Sequence, residues 1–363
     1  MNNWYELALT YVKGIGVVSA KKLLTHFGSA EAVFKASRSD LLVVPGIGPH
    51  TVAALSDKQV FQNADKEMAF MEKHRINGLA WASKNYPKRL MECADAPVML
   101  FYRGTADLDH ARIVSIVGTR HATAYGKGIC DEFIRALQAY GVMVVSGLAY
   151  GIDSCAHKAS VKYNIPTVGV LGHGLDRIYP DSNRGLAANM LENGGLITEY
   201  PSDSLPERGH FPERNRIIAG LADVTVVVEG ALRGGALITA EIANNYNRDV
   251  CAFPGNIQQE FSTGCNYLIK THRANLITRV EDLEYLMNWE PKLEKINDAQ
   301  LSKLNVSAQE EKLYKIVIEN GQVSIDTLAL MMDIPTAKLA LILLEMELKG
   351  LLAALPGKVF RAV

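Results

Sequence analysis

Between residues 111 and 287, short β-branched runs recur at intervals, each followed by a segment whose apolar residues have helical spacing. The strand candidates are IVSIVG (113–118), VMVVSG (142–147), TVGVLG (167–172), GLITEY (195–200), VTVVVEG (224–230), DVCAFPG (249–255) and ANLIT (274–278). They lack the in-out polar alternation of a half-exposed strand. A run that is apolar at nearly every position is covered on both faces, which describes a parallel sheet with crossover helices. The pattern predicts an α/β fold, an extended Rossmann-like doubly wound parallel sheet of about seven strands.

The flanks have other rhythms. VKGIGVVSAKKLL (12–24) and VPGIGPHTVAAL (44–55) each join an apolar residue, a G-I-G turn and a helix-like run, the layout of a helix-hairpin-helix. Glycine lets such a turn approach a phosphate, and the helix that follows opens with unpaired N–H groups suited to an anion. Lys21 and Lys22 follow the first turn while the second offers only His50, so only the first copy is equipped to touch nucleic acid. A charged amphipathic helix near 57–75 leads into a proline-punctuated connector up to residue 110, with no visible chemistry. NWEPKLEKINDAQLSKLN (288–305) is polar and reads as a linker, and three short helical runs with a terminal hairpin then make a winged-helix layout. The expected domains are 1–75 helical, 76–287 Rossmann-like, 288–305 linker and 306–363 winged helix.

Composition narrows the classes. A chain of 363 residues with 48% hydrophobic content divides into two or three domains. Its formal net charge of −1 excludes a protein that coats nucleic acid by bulk electrostatics, so any such site is a local basic patch. MNNWYELALT has no basic flank before an apolar run, and no stretch approaches the roughly 18 uncharged apolar residues of a membrane span; a cytoplasmic protein with no membrane contact is expected. The five cysteines, Cys93, Cys130, Cys155, Cys251 and Cys265, lie far apart with no C-x-x-C pair, which points to reduced thiols and no metal site.

In an open parallel sheet, ligands bind beyond the carboxyl ends of the strands. The loops there, GTRHATAYGK (118–127), SGLAYGIDSCAHK (146–158), LGHGLDRIYPDSNR (171–184) and EGALRGGALITAE (229–241), contain neither G-x-G-x-x-G nor a P-loop, so no dinucleotide or ATP cofactor is expected. They share small residues and cations instead: Gly118 with Arg120, Gly147 with Lys158, then Arg177 and Arg184, and later Arg214 and Arg216. Bare amides and planar guanidinium forks both suit phosphate oxygens, and several in a row suit a run of phosphates. In FPERNRIIAGLADV (211–224), Pro212 fits a first helical turn, which would place Arg214 and Arg216 at a helix start facing an anion, with Asn215 free to bond a base or a loop. Tyr125, Tyr150, Tyr179, His173 and Phe211 are candidates for base stacking. Asp153 and His157 have no forced nucleophile beside them and read as a helix-capping acid and a hydrogen-bonded imidazole. Glu199 and Glu229 end two strands, but nothing else supports a catalytic carboxylate pair.

The ordered motifs IVGTR…YGK, SGLAYGIDSCAHK, GVLGHGLDRIYPDSN, GLITEYP, FPERNRIIAGLADVTVVVE, ALITAE, FPGN and TGCNYLI closely resemble the core of the DprA (DNA processing A, Smf) family over roughly residues 86–278. The flanks are similar to that family's accessories, a helix-hairpin-helix or SAM-like domain in front and a winged helix behind. The resemblance implies a non-enzymatic protein that binds single-stranded DNA, forms a homodimer, and protects incoming strands and loads the RecA recombinase onto them during natural transformation. It places the family's V-G-[ST]-R arginine on Arg120, after Gly118 and Thr119, a basic position on Lys158, and F-P-x-R-N-R on Arg214, Asn215 and Arg216. Gly234 and Ala236 stand where many relatives have serine, and Asp181 where lysine is frequent.

A rival reading comes from nucleotide-processing enzymes similar to the phosphoribohydrolases, whose P-G-G-x-G-T-x-x-E loop is echoed by GGALITAE (234–241), with Glu241 as the acid. The preceding proline is absent and the spacing differs. PTAKLALILLEMELKG (335–350), the helix a winged-helix protein would lay in a groove, offers only Lys338 and Lys349 and fits a protein contact better than DNA.

Overall fold

A computed structural model describes residues 3–81, 83–291 and 307–362. The expected linker lies mostly outside the described residues. The chain forms two compact units, Met1–Trp289 and Glu290–Val363.

In the first unit, nine described strands form one sheet: β1 (Asn77–Ala80), β2 (Met99–Gly104), β3 (Ile113–Val117), β4 (Met143–Ser146), β5 (Thr167–Val170), β6 (Gly194–Thr198), β7 (Val224–Val227), β8 (Asp249–Ala252) and β9 (Asn275–Leu276), in the order β1-β2-β6-β5-β4-β3-β7-β8-β9. From β6 to β9 every neighbouring pair is parallel. β2 joins β6 antiparallel and β1 joins β2 antiparallel. These two strands come from the connector, whose prolines punctuate short extended pieces.

Side chains along each central strand alternate between two cores. Ile113 and Val117 of β3 join Ile217, Leu221 and Ala240 on one face; Val114 and Ile116 join Phe133, Ile134 and Ala156 on the other. A crossover helix must cover each face, which is why β3 is apolar except at Ser115, whose hydroxyl donates to that of Thr225 at 2.7 Å. The order fixes a switch point: the chain runs outward from β3 through β4, β5 and β6, then returns to place β7 on the other side of β3.

The N-terminal helices pack on this sheet within the same unit. Glu67 accepts from the backbone N–H of Ser202 (3.0 Å) and from its hydroxyl (2.5 Å). Lys21 donates to the carbonyls of Cys93 (3.2 Å) and Ala94 (3.0 Å), and Lys22 to that of Pro45 (3.4 Å). The two lysines expected to serve a nucleic acid are therefore holding the helical layer together and onto the sheet.

The second unit has helices Ala308–Asn320, Ile325–Met332 and Thr336–Leu348, with a sheet of β10 (Gln322–Ser324), β11 (Leu352–Leu355) and β12 (Val359–Ala362) in the order β10-β12-β11. Leu313, Leu328, Leu339, Leu343 and Met346 fill its core. Among the described residues no single helix is long and apolar enough to cross a membrane.

Candidate functional site

A crevice of about 940 Å³ opens at the carboxyl ends of β3 and β7, the switch point where an open α/β sheet receives its ligand. The β3 loop forms one wall through Gly118, Thr119 and Arg120, and the β7 loop forms another through Gly230, Arg233 and Gly234. The start of the His210–Leu221 helix closes the third side with Phe211 and Pro212. Gly235 and Ala236 also line it. They begin the Gly235–Asn245 helix, so their N–H groups have no intrahelical acceptor. A side chain at Gly235 would meet only Asn215, 4.0 Å away, so this helix start is open to a ligand.

Four arginines line this opening, and three of them are exposed. Arg120 is exposed and lies 5.5 Å from the Phe211 ring centroid, a cation stacked on an aromatic face. Arg208 and Arg233 are exposed on the same crevice. Among the described residues none of the three has an acidic partner within ion-pair distance.

The arginines of the F-P-x-R-N-R motif behave differently. The helix begins at His210, so Pro212 falls in its first turn, and the four- and three-residue steps put position 214 on the same inward face as Ile218 and Leu221. Arg214 is only 3% exposed and donates to the carbonyls of Gly147 (2.6 Å) and Val170, tying the ends of β4 and β5 together. The Asp153 carboxylate lies beside it. Burial pushes the Asp153 carboxyl above its usual range against the pull of Arg214, and brings the guanidinium down to about 10, still charged at neutral pH. Arg216 is bound to the carboxylate of Glu199 and the carbonyl of Asp95, away from the crevice. Arg214 thus meets the crevice wall from within with donors already used by carbonyls, while Arg216 is turned to Glu199 and Asp95. Asn215 lines the crevice and donates to the Gly235 carbonyl at 3.3 Å, steadying the helix start there.

The glycines also serve the interior. A β-carbon on Gly118 would stand 2.5 Å from the Ile152 side chain, and one on Gly147 would stand 2.5 Å from the Arg214 guanidinium. Both positions require glycine for packing within the fold. Thr119 accepts from the His121 N–H through its hydroxyl (3.1 Å), bending the loop that presents Arg120.

Lys158 is exposed on the Ile152–Lys162 helix, and its charge, with that of Lys127, reaches the Cys155 thiol. Arg177 is paired with Asp176 (2.6 Å) and Arg184 with Asp181 (2.6 Å). None of these lines the crevice.

The acids have structural work. Glu229 is 3% exposed and accepts from the Thr123 N–H (3.0 Å) and hydroxyl (2.6 Å), anchoring the β3 loop. Glu199 holds Arg216, so the two strand-end glutamates have separate structural partners. Glu241 points out to Arg273 at 3.5 Å and does not line the crevice. His157 is fully buried; Thr167 gives its hydroxyl proton to the Val144 carbonyl, so the His157 Nδ1–H donates to the Thr167 oxygen at 2.7 Å. Burial lowers its pKa to about 3, which keeps the ring neutral. Among the described residues no group of three or more His, Cys, Asp or Glu is placed to hold a metal.

Of the aromatic candidates, Tyr179 and Phe211 line the crevice, 5.8 Å apart. Tyr150 is exposed beside it in sequence, Tyr125 donates to the Pro254 carbonyl, and His173 is buried against Gly174 and Tyr179. Sequence reading passed over Arg208, Arg233 and Gly235. Arg233 was legible by the same rule that picks Arg120, a cation beside glycines at a strand end; Arg208 was not, because the turn that brings it back to the crevice has no local signature.

The family model for DNA recombination-mediator protein A matches residues 77–288. The chain belongs to that family. A SAM-like helix-hairpin-helix tandem matches residues 6–57 and the DprA winged helix domain matches residues 298–358, so the family's flanking modules stand on either side of its core. Protein Smf of Synechocystis is 39% identical over 274 residues, 73% of this chain and 68% of its own. Protein Smf of Escherichia coli is 35% identical over 312 residues, 82% and 83%. The solved DNA processing protein A of Streptococcus pneumoniae aligns with a TM-score of 0.66 at 31% identity, covering 80% of this chain and 99% of that one. DNA processing protein A of Helicobacter pylori, studied for its single-stranded DNA binding mode, aligns with a TM-score of 0.54 at 28% identity over 60% of this chain and 98% of that one.

Proposed function

We propose that the switch-point crevice binds single-stranded DNA, and that the protein acts by holding and presenting the strand without breaking or making bonds. One observation carries this reading: Arg120, with Arg208 and Arg233, presents unneutralised guanidinium to a crevice whose floor offers free helix-start amides. The phosphates lie on these three arginines and on the amides of Gly235 and Ala236. The bases lean on Phe211 and Tyr179. A single strand fits because its bases are unstacked and free to meet aromatic faces.

Within this reading the earlier candidates divide. Gly118, Thr119 and Arg120 touch the strand, and Lys158 extends the track along the neighbouring helix. Gly147, Arg214, Asn215 and Arg216 keep the rim in shape, and Arg177 and Arg184, each beside an aspartate, add only long-range field. The resemblance extends the proposal: a homodimer in the cytoplasm passes the bound strand to the RecA recombinase during natural transformation.

The test is a gel shift with labelled oligo-dT and a duplex of equal length, using wild type and Arg120→Ala. The expected result is preferential retention of the single strand, lost in Arg120→Ala. Equal affinity for duplex, or an unchanged shift in the variant, overturns the reading.

A further inference from the structure

The winged-helix unit leaves one face of its Thr336–Leu348 helix bare. Leu339, Leu343 and Met346 enter that unit's core, whereas Leu341 is 64% exposed, Leu344 52% and Leu348 81%. Ala337 is exposed as well. Positions 337, 341, 344 and 348 step by four, three and four residues, the rhythm of a coiled-coil seam. A helix that read duplex DNA would carry basic and polar groups on its outer face; leucines there gain nothing from phosphate and lose when left in water.

The charges beside the seam indicate what covers it. Lys338 and Glu345 flank one edge, and Ala340 and Glu347 the other. Among the described residues neither Lys338 nor Glu345 has an ion-pair partner. If two copies run antiparallel about a two-fold axis between Leu341 and Leu344, Leu341 of one meets Leu344 of the other, and Ala337 meets Leu348, small against large. Lys338 then faces the second copy's Glu345, and symmetry repeats the pair. Run parallel, the flanking positions bring Ala340 against Glu345, and no opposite charges meet.

We propose that this face is a self-association surface on which a second copy of the chain pairs antiparallel through the same helix. So short a seam would not hold isolated peptides, since the helix itself is costly to nucleate. Here the unit's core already holds the helix, so pairing only has to cover the leucines. The surface belongs to the second unit and the crevice to the first, and crevice variants change none of its residues.

The experiment uses full-length chains carrying Cys155→Ser, which removes the one native cysteine that is not buried. One chain also carries Leu341→Cys and the other Leu344→Cys; they are oxidised with diamide singly and mixed, and followed on non-reducing gels. The expected result is a mixed disulfide forming at least about tenfold faster than either variant with itself, because pairing raises the local thiol concentration. Lys338→Glu should slow it several-fold, and adding Glu345→Lys to the same chain should restore it by recreating the pair in reverse. Matching circular dichroism spectra confirm that these exposed positions leave the fold intact. Faster linkage of Leu341→Cys to itself, equal rates in all mixtures, or leucines shielded within a monomer would each overturn the proposal.

Discussion

The β3 loop and the His210–Leu221 helix both bring arginine to the same crevice, yet only one leaves it free. Arg120 stands on a loop bent by Thr119 and anchored by Glu229, with the Phe211 ring beside its guanidinium and, among the described residues, no acid within ion-pair distance. Arg214 sits on a helix whose phase turns it into the core, where two carbonyls and Asp153 surround it. The contrast shows that an arginine in a motif shared with a family is not yet a ligand contact. What decides is whether the fold has already satisfied its donors.

The largest effect expected from this contrast is on stability. Arg214→Ala should cost about 3–5 kcal/mol in urea unfolding, because it strands the buried Asp153 and frees two strand-end carbonyls; a cost under about 1 kcal/mol would mean that the side chain does not tie β4 to β5. Arg120→Ala should do the opposite. It should leave the unfolding midpoint nearly unchanged and weaken oligo-dT binding by roughly 10- to 100-fold, the worth of a charge-assisted contact. If both variants lose stability and binding together, the division between rim and rivet fails.

The buried side should also respond to pH. His157 has a folded pKa of about 3, below its ordinary 6.5, so the unfolded chain binds the extra proton between these values. Its contribution is complete above pH 6.5 and falls as pH drops toward 3, by at most about 1.4 kcal/mol per unit. Melting curves of His157→Gln against wild type across that window should show a shallower pH slope in the variant; identical slopes would remove His157 from the account. The smallest effect is expected at Arg184, whose charge is paired with that of exposed Asp181. Arg184→Ala should change DNA affinity by about twofold or less.

The sheet was legible because its central strands are apolar on both faces, and every strand candidate from Ile113 to Leu276 has a counterpart in the sheet. β1 and β2 were not. β1 is a four-residue edge strand with a polar start, and the prolines around both mask their pairing, which depends on the distant β6. The crevice was legible as a set of strand-end loops. Which cations face it was not, since the acceptors that take up Arg214 and Arg216 lie on segments distant in sequence. The inward use of Lys21 was equally hidden, because its acceptors lie more than seventy residues away.

The most direct test of the central claim is the salt dependence of oligo-dT affinity for wild type and for Arg120→Ala/Arg208→Ala/Arg233→Ala. Each phosphate contact on a single strand contributes about 0.7 to the slope of log affinity against log salt, so losing three should flatten the slope by about 2. Parallel lines for the two proteins would show that the exposed arginines of this crevice do not hold the strand.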